Sequence, residues 1–537
     1  MGDVVFEARI VTMDEACPEA EALGVRDGRV VAVGSLVSVR AALPAAPVTR
    51  LAGCVLPGFV EAHGHPTTAA VLLSEHFVDI RPVTVSQADD VVATIRQAVA
   101  ERPHGAYLNG WDPLLQAGLP APTLDWLDGI APATPLVIIH NSGHSAYFNS
   151  EAASAAGIDK HTPDPTGARY GRTASGELDG SGYETAAIFT IAAPGLAAAR
   201  STYPENLAAE LGRLNAAGIT TVADMAWDPA LMTVLDETRA AGGLTARLRL
   251  YEMSTPELRS TQPLANGDDL VRQVGVKTWA DGSPWIGNID TSFPYLDTPT
   301  TRGMGLRPGH RGTSNYTPTQ FEAISRAYFD QGWQLSCHAH GDHAIDMVLD
   351  CWEQVLADRP RPDHRLRLEH VGAMRPDQYH RAAALGVTCS VFVDHLYYWG
   401  DVLADGLIGP ERAAAWADAG AAATAGMRFS LHNDGTVTPP EPLRNISVAM
   451  TRRSRAGRVH GAEHGVSIDQ ALRAQTIDAA YQLFADTDIG SLEVGKYADL
   501  VVLSDDPREV APEAVADLTV RATYLAGEQV YPVPALS

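Results

Sequence analysis

The sequence predicts an α/β fold, a TIM-like (β/α)8 barrel with a small β-sandwich built from both termini and an inserted segment after the first barrel strand. Eight short apolar runs, near residues 59–63, 220–226, 247–253, 274–279, 334–338, 366–370, 387–391 and 428–432, mostly alternate with helical patterns such as 318–331 and 344–358. That alternation is the signature of a parallel barrel. Several of the runs end on histidine or lysine or lead into aspartate, and polar residues at strand C-termini are how such barrels build a site. Both ends of the chain read as short strands.

In chain order, 4–13 and 22–34 are strands around Asp27-Gly28, a strong hairpin signal, and residues 1–57 form the first part of the sandwich. The barrel occupies 58–490. Its first strand is confined by Pro57-Gly58 and Pro66, which cannot continue a ladder or demand a turn. The gap before the second strand is too long for one crossover, so residues from about 75 to 205 form the insertion. Strands at 500–503 and 520–531 complete the sandwich over 491–537. At 537 residues the chain exceeds the usual size of a single core, so appended parts are expected.

The densest chemistry lies in Leu56-Pro57-Gly58-Phe59-Val60-Glu61-Ala62-His63-Gly64-His65-Pro66. Alternate residues of a strand share a face, so His63 and His65 project together, and Gly64 leaves room for close approach. Imidazole pairs of this kind suit zinc and other divalent transition metals. Lys277, His338, His370 and Asp434 each end or closely follow a later apolar run.

The order His63-Gly64-His65, Lys277, His338-Ala339-His340-Gly341-Asp342, Glu369-His370 and Asp434, closed by Asp488-Ile489-Gly490-Ser491-Leu492-Glu493-Val494-Gly495-Lys496-Tyr497-Ala498-Asp499, resembles the amidohydrolase superfamily of metal-dependent hydrolases over nearly the whole chain. Asn141-Ser142-Gly143-His144-Ser145-Ala146-Tyr147-Phe148-Asn149-Ser150 and Asp281-Gly282-Ser283 resemble the branch that includes N-substituted formamide deformylases. The resemblance implies one or two divalent ions, with zinc as the metal. His63, His65 and Asp434 would ligate the first ion, His338 and His370 the second, and Lys277 would bridge them as an N-carboxylated side chain. A desolvated lysine in its amine form can take up carbon dioxide, whereas an ammonium beside two dications is disfavoured. The alternative is an uncarboxylated Lys277 with a single metal. Asp434 would be the catalytic proton acceptor, relieving a metal-held water of a proton as it attacks a carbonyl carbon.

The reaction so implied is hydrolysis of a linear amide-type C–N bond, with an N-substituted formamide bearing an apolar substituent as the specific substrate. Hydrolysis of a cyclic amide, ester or carbamate is a second reading. A non-catalytic metal-binding regulatory protein is a third, against which the complete ligand set weighs. His144 is a candidate hydrogen-bond donor to substrate, or a histidine bonded to its own loop. Trp279 and Trp285 are candidate walls of an apolar pocket, with Trp227, Tyr295, Phe392, Tyr397, Tyr398 and Trp399 near other strand ends; each has packing of loops onto the barrel as its alternative. His432 is a candidate support for the ligands. His340 shares the parity of His338 but stays outside the ligand set, and the roles of His340 and His395 are open.

Hydrophobic residues make up 45% and charged residues 20%, with a formal net charge of −25 and a pI near 5.0. Such a balance argues against nucleic acid and anionic membranes as partners. A small-molecule substrate is expected, with a homodimer as a possible assembly. Met1-Gly2-Asp3-Val4-Val5-Phe6-Glu7 lacks a basic region followed by a long apolar one, and no apolar stretch is long enough to span a bilayer. Five scattered cysteines without a CxxC pair point to a reduced, cytoplasmic protein. Cys337 is turned by strand alternation away from the face that His338 uses, which favours packing.

Overall fold

The computed structural model describes residues 2–532 except 166, 256 and 265. Eight parallel strands form its centre: β1 (Phe59–Gly64), β2 (Ile219–Trp227), β3 (Arg247–Met253), β4 (Val271–Trp279), β5 (Gln334–Ala339), β6 (Arg367–His370), β7 (Thr388–Val391) and β8 (Phe429–Leu431). They pair in sequential order and curl into a nearly closed barrel, a TIM-like (β/α)8 architecture with β8 beside β1. Helices such as Pro318–Asp330 and Asp342–Asp358 connect them on the outside. Thr317 and Gln320 close a capping box at the start of the first of these, satisfying amides that the helix leaves free. Inside the barrel Arg367, on β6, donates from Nη2 to the Ala62 carbonyl on β1 at 2.9 Å, a cross-strut between strands three places apart around the barrel.

The last strand is shorter than the apolar run suggests. Its ladder ends at Leu431, the Asn433 N–H donates instead to Glu61 Oε1 at 2.7 Å, and Asp434 takes φ +54°. Ser430, His432 and Asp434 therefore do not share one strand face: Asp434 reaches the barrel mouth from a turn.

Strands from both termini hydrogen-bond in the order Glu528–Tyr531, Val520–Leu525, Leu500–Leu503, Val48–Pro57, Val4–Val11, Glu19–Arg26 and Arg29–Gly34. The expected sandwich is thus one continuous sheet. It folds over on itself: Phe6 and Tyr524, on strands three places apart, meet edge-on at 5.2 Å above a core that includes Val4, Leu23, Val55 and Leu500. Bulges after Glu7 supply the bend. The buried pair of Arg247 with Asp499, at 2.7 Å, fastens this sheet to β3.

Between β1 and β2 the chain first makes α1 (Pro66–Leu72), then a six-stranded sheet ordered Arg169–Arg172, Leu178–Tyr183, Ser145–Phe148, Leu136–His140, Ala106–Trp111 and Val78–Asp79. Ile80, Ile95, Leu108, Leu127 and Leu136 give that sheet a core of its own. The apolar helix α2 (Thr185–Ala198) follows. Among the described residues no helix is long and apolar enough to cross a membrane. Cys337 is fully buried.

Candidate active site

Because β1, β4, β5 and β6 run parallel and in step, their C-terminal ends open at one mouth, and with the turn after β8 they bring His63, His65, Lys277, His338, His370 and Asp434 around a single cavity of about 380 Å³. His63 is fixed through its ring: Nδ1–H donates to Glu369 Oε2 at 2.7 Å, which turns Nε2 to the cavity, 3.6 Å from Asp434 Oδ1. Glu369 is itself held by Arg367 at 2.6 and 3.0 Å and by the Ser336 hydroxyl at 2.6 Å. All three are fully buried. Burial resists the Glu369 carboxylate, yet Arg367 and Lys277 hold it below the ordinary glutamate value, so it orients His63 as an anion.

His65 brings Nε2 to 3.3 Å from Asp434 Oδ1, but this oxygen is buried without a hydrogen-bond partner. His338 donates from Nε2 to the Gly282 carbonyl at 2.9 Å, leaving Nδ1 as its free nitrogen. His370 sits at φ +71°, with Nδ1 3.1 Å from His432 Nε2, and His432 Nδ1 lies 2.7 Å from the Ser390 hydroxyl. Burial pushes His63, His338 and His370 well below the ordinary imidazole value, so they present lone pairs, not charges. Lys277 is buried, with Nζ 3.3 Å from His63 Nε2. Loss of solvent pulls its ammonium down to about 8, against the pull of Glu369 and Asp434.

These residues fit a divalent metal. His63, His65 and Asp434 offer ligand atoms within 4.8 Å of one another, as do His338, His340 and His370, and His63, His370 and His432. Neutral imidazoles facing a carboxylate oxygen that no protein donor satisfies are a cation's donor set. His340, expected outside that set, stacks on His370 at 4.9 Å, and its Nδ1 is buried without a partner.

The inserted segment reaches the same cavity. His144, in the turn before strand Ser145–Phe148, lines it, with its ring 5.1 Å from that of His338 and Nδ1 donating to Glu184 Oε2 at 2.8 Å. Trp279 also lines the cavity; Trp285 does not. Trp285 is buried, stacked on Trp399 at 4.8 Å and edge-on to His395 at 4.8 Å, and Trp399 donates to Asp112 at 3.1 Å. Trp285, after β4, and Trp399, after β7, thus pack their loops together. The apolar wall comes from Val71 and Leu72 of α1, from Ile188, Phe189 and Leu196 of α2, and from Leu231.

Sequence reasoning missed four contributors. Arg367 and Glu369 alternate with Leu366 and Leu368, a charged pair on one strand face that signals a buried ion pair. Glu61 shares the parity of His63 and His65 and anchors the turn that carries Asp434. The wall from α2 had a signal in the run Ala186-Ala187-Ile188-Phe189-Thr190-Ile191, although nothing in that run fixes what it packs against.

The model of the amidohydrolase family matches residues 52–531. The chain is 29% identical over 555 residues to Protein LONG AFTER FAR-RED 3 of Arabidopsis thaliana, covering 98% of this chain and 91% of that protein. It is 28% identical over 534 residues to the N-substituted formamide deformylase of Arthrobacter pascens, covering 98% and 97%. The fold is similar to the crystal structure of an uncharacterized metal-dependent hydrolase from Pyrococcus horikoshii, with a TM-score of 0.73 at 20% identity over 95% of this chain and 99% of that one.

Proposed function

The chain belongs to the amidohydrolase family of metal-dependent hydrolases, and we propose that it cleaves a linear amide-type C–N bond, with an N-substituted formamide carrying an apolar N-substituent as substrate. The observation that carries this reading is the two-sided cavity: a floor of histidines and Asp434 under a wall of Val71, Leu72, Ile188, Phe189 and Leu196. A small acyl group fits the polar floor, and an apolar substituent gains by leaving water against the wall. The likeness to the Arthrobacter pascens deformylase along both chains supports the same substrate class.

His63, His65 and Asp434 would hold one zinc ion, and His338 and His370 a second. Lys277 would bridge them after carboxylation, since desolvation lowers its ammonium to about 8 and so raises the share of free amine that carbon dioxide needs. When bound, such ions polarise a carbonyl and ease deprotonation of water. The Asp434 carboxylate accepts the proton of the attacking water and returns it to the leaving nitrogen, so that an amine departs and not an amide anion. Glu369 keeps His63 Nε2 turned to the cavity throughout. The test is a panel of N-alkyl and N-aryl formamides, N-acyl amino acids, lactams and esters assayed with zinc-loaded protein. Formate release that rises with the apolar area of the N-substituent is expected; turnover of lactams or esters alone refutes the reading.

A further inference from the structure

His338, one of the metal-site histidines, and His144, from the inserted segment, are joined by a series of hydrogen bonds that passes through the backbone of Gly282 and through Asn288. His338 Nε2–H donates to the Gly282 carbonyl at 2.9 Å. The Gly282 N–H donates to the Asn288 carbonyl at 2.8 Å, and Asn288 Nδ2 donates to Glu184 Oε1 at 3.2 Å. The other oxygen of Glu184 receives Nδ1–H of His144 at 2.8 Å, and the Glu184 N–H returns to the His144 carbonyl at 3.0 Å. Glu184 adopts φ +67°, a conformation that a glutamate takes only where its surroundings impose it. Gly282 leaves no room for a side chain: a Cβ there would lie 2.6 Å from Asn288 Nδ2 and 3.0 Å from Glu184 Oε1.

We propose that Glu184 and Asn288 are positioning residues that hold His144 against the metal face of the barrel, so that an imidazole supplied by the inserted segment contacts the polar group beside the scissile bond. With Nδ1 committed to Glu184, the ring cannot turn, and Nε2 is the nitrogen left for the cavity. Asn288, from the loop after β4, ties that choice to the barrel. Specificity is then set jointly by two units of the fold. The inference rests on the hydrolase reading only for its kinetic half.

A double-mutant cycle with nuclear magnetic resonance of the imidazole protons tests it. Glu184→Ala and His144→Ala should each lower kcat/KM by about 10- to 100-fold, the range for partners that orient site histidines, whereas Glu184→Ala should change nothing further in the His144→Ala background. Glu184→Gln keeps one acceptor oxygen for His144 Nδ1–H but turns an NH2 toward the Asn288 Nδ2–H donor, so it should recover the Nδ1–H resonance and only part of the kinetic loss. In metal-free protein a downfield Nδ1–H resonance should vanish in both alanine variants, while the His63–Glu369 resonance persists. That measurement needs no substrate, so a wrong formamide assignment leaves it readable. Equal effects of Glu184→Ala with and without His144, or retention of the resonance in Glu184→Ala, overturns the proposal. Gly282→Ala should mimic Asn288→Ala in kcat/KM; an unchanged value in both refutes the tie to the barrel.

Discussion

Replacing Lys277 by methionine should stabilise the metal-free protein at neutral pH, although it destroys a site residue. The buried ammonium is pulled down to about 8 from 10.5, and each pH unit is worth about 1.4 kcal/mol, so the charged lysine costs the fold about 3 kcal/mol. The direction follows from proton counting. Between pH 8 and 10.5 the unfolded chain binds this proton and the folded chain does not, so stability rises with pH across that window. Below pH 8 the cost is complete. Methionine has similar volume and no charge to desolvate. Equilibrium urea unfolding of metal-free wild type and Lys277→Met should therefore differ by about 3 kcal/mol at pH 7 in favour of the variant, and by under about 1 kcal/mol at pH 10. A variant no more stable at pH 7, or a difference that does not shrink toward pH 10, refutes the account of Lys277 as a strained cation. On the proposed carboxylation of Lys277, adding zinc and bicarbonate should reverse the order, since methionine offers no amine to carboxylate.

Asp434→Asn should keep the fold and most of the metal while turnover falls by about 10²- to 10⁴-fold, measured as kcat beside elemental analysis. Glu369→Ala should weaken metal binding by about 10- to 100-fold in a chelator competition, and the stranded Arg367 should lower unfolding free energy by about 3–5 kcal/mol. Phe189→Ala should raise KM for formamides with bulky N-substituents and leave small ones unchanged, whereas Trp285→Ala should cost about 3–5 kcal/mol of stability with no discrimination between them.

The barrel and its site floor were legible because they follow local rules. His63 and His65 announce a shared face by spacing alone, and Lys277, His338 and His370 each close an apolar run whose length marks a strand. The cavity's upper half was not legible, because residues far apart in sequence build it. Phe189 reaches the cavity only through the placement of α2, and nothing in its own segment names its partner. Trp285 misled for the same reason: an aromatic residue just past a strand end can line a pocket or fill a gap, and Trp399, 114 positions away in the chain, decides which. The terminal strands were visible as strands, yet one folded sheet and two facing sheets share the same alternation.

Backbone conformation explains why the site departs from strand logic where chemistry is densest. His370, Asp434 and Glu184 all take positive φ, a choice that costs about 1–3 kcal/mol in a side-chain-bearing residue. In each case the turn redirects a side chain that a continuing strand or helix would aim elsewhere. Asp434 leaves the ladder of β8 because the Asn433 N–H is claimed by Glu61, and so arrives opposite His63 and His65. His370 ends β6 one residue beyond Glu369, so adjacent residues serve different ends: Glu369 holds His63 from inside the barrel, and His370 faces the cavity. Glu184 turns the chain between strand Leu178–Tyr183 and α2, which puts its carboxylate beside His144 and starts the helix that forms the apolar wall. The same bend therefore sets both the polar contact and the apolar one, and a substitution that relaxes it should disturb recognition of both ends of the substrate.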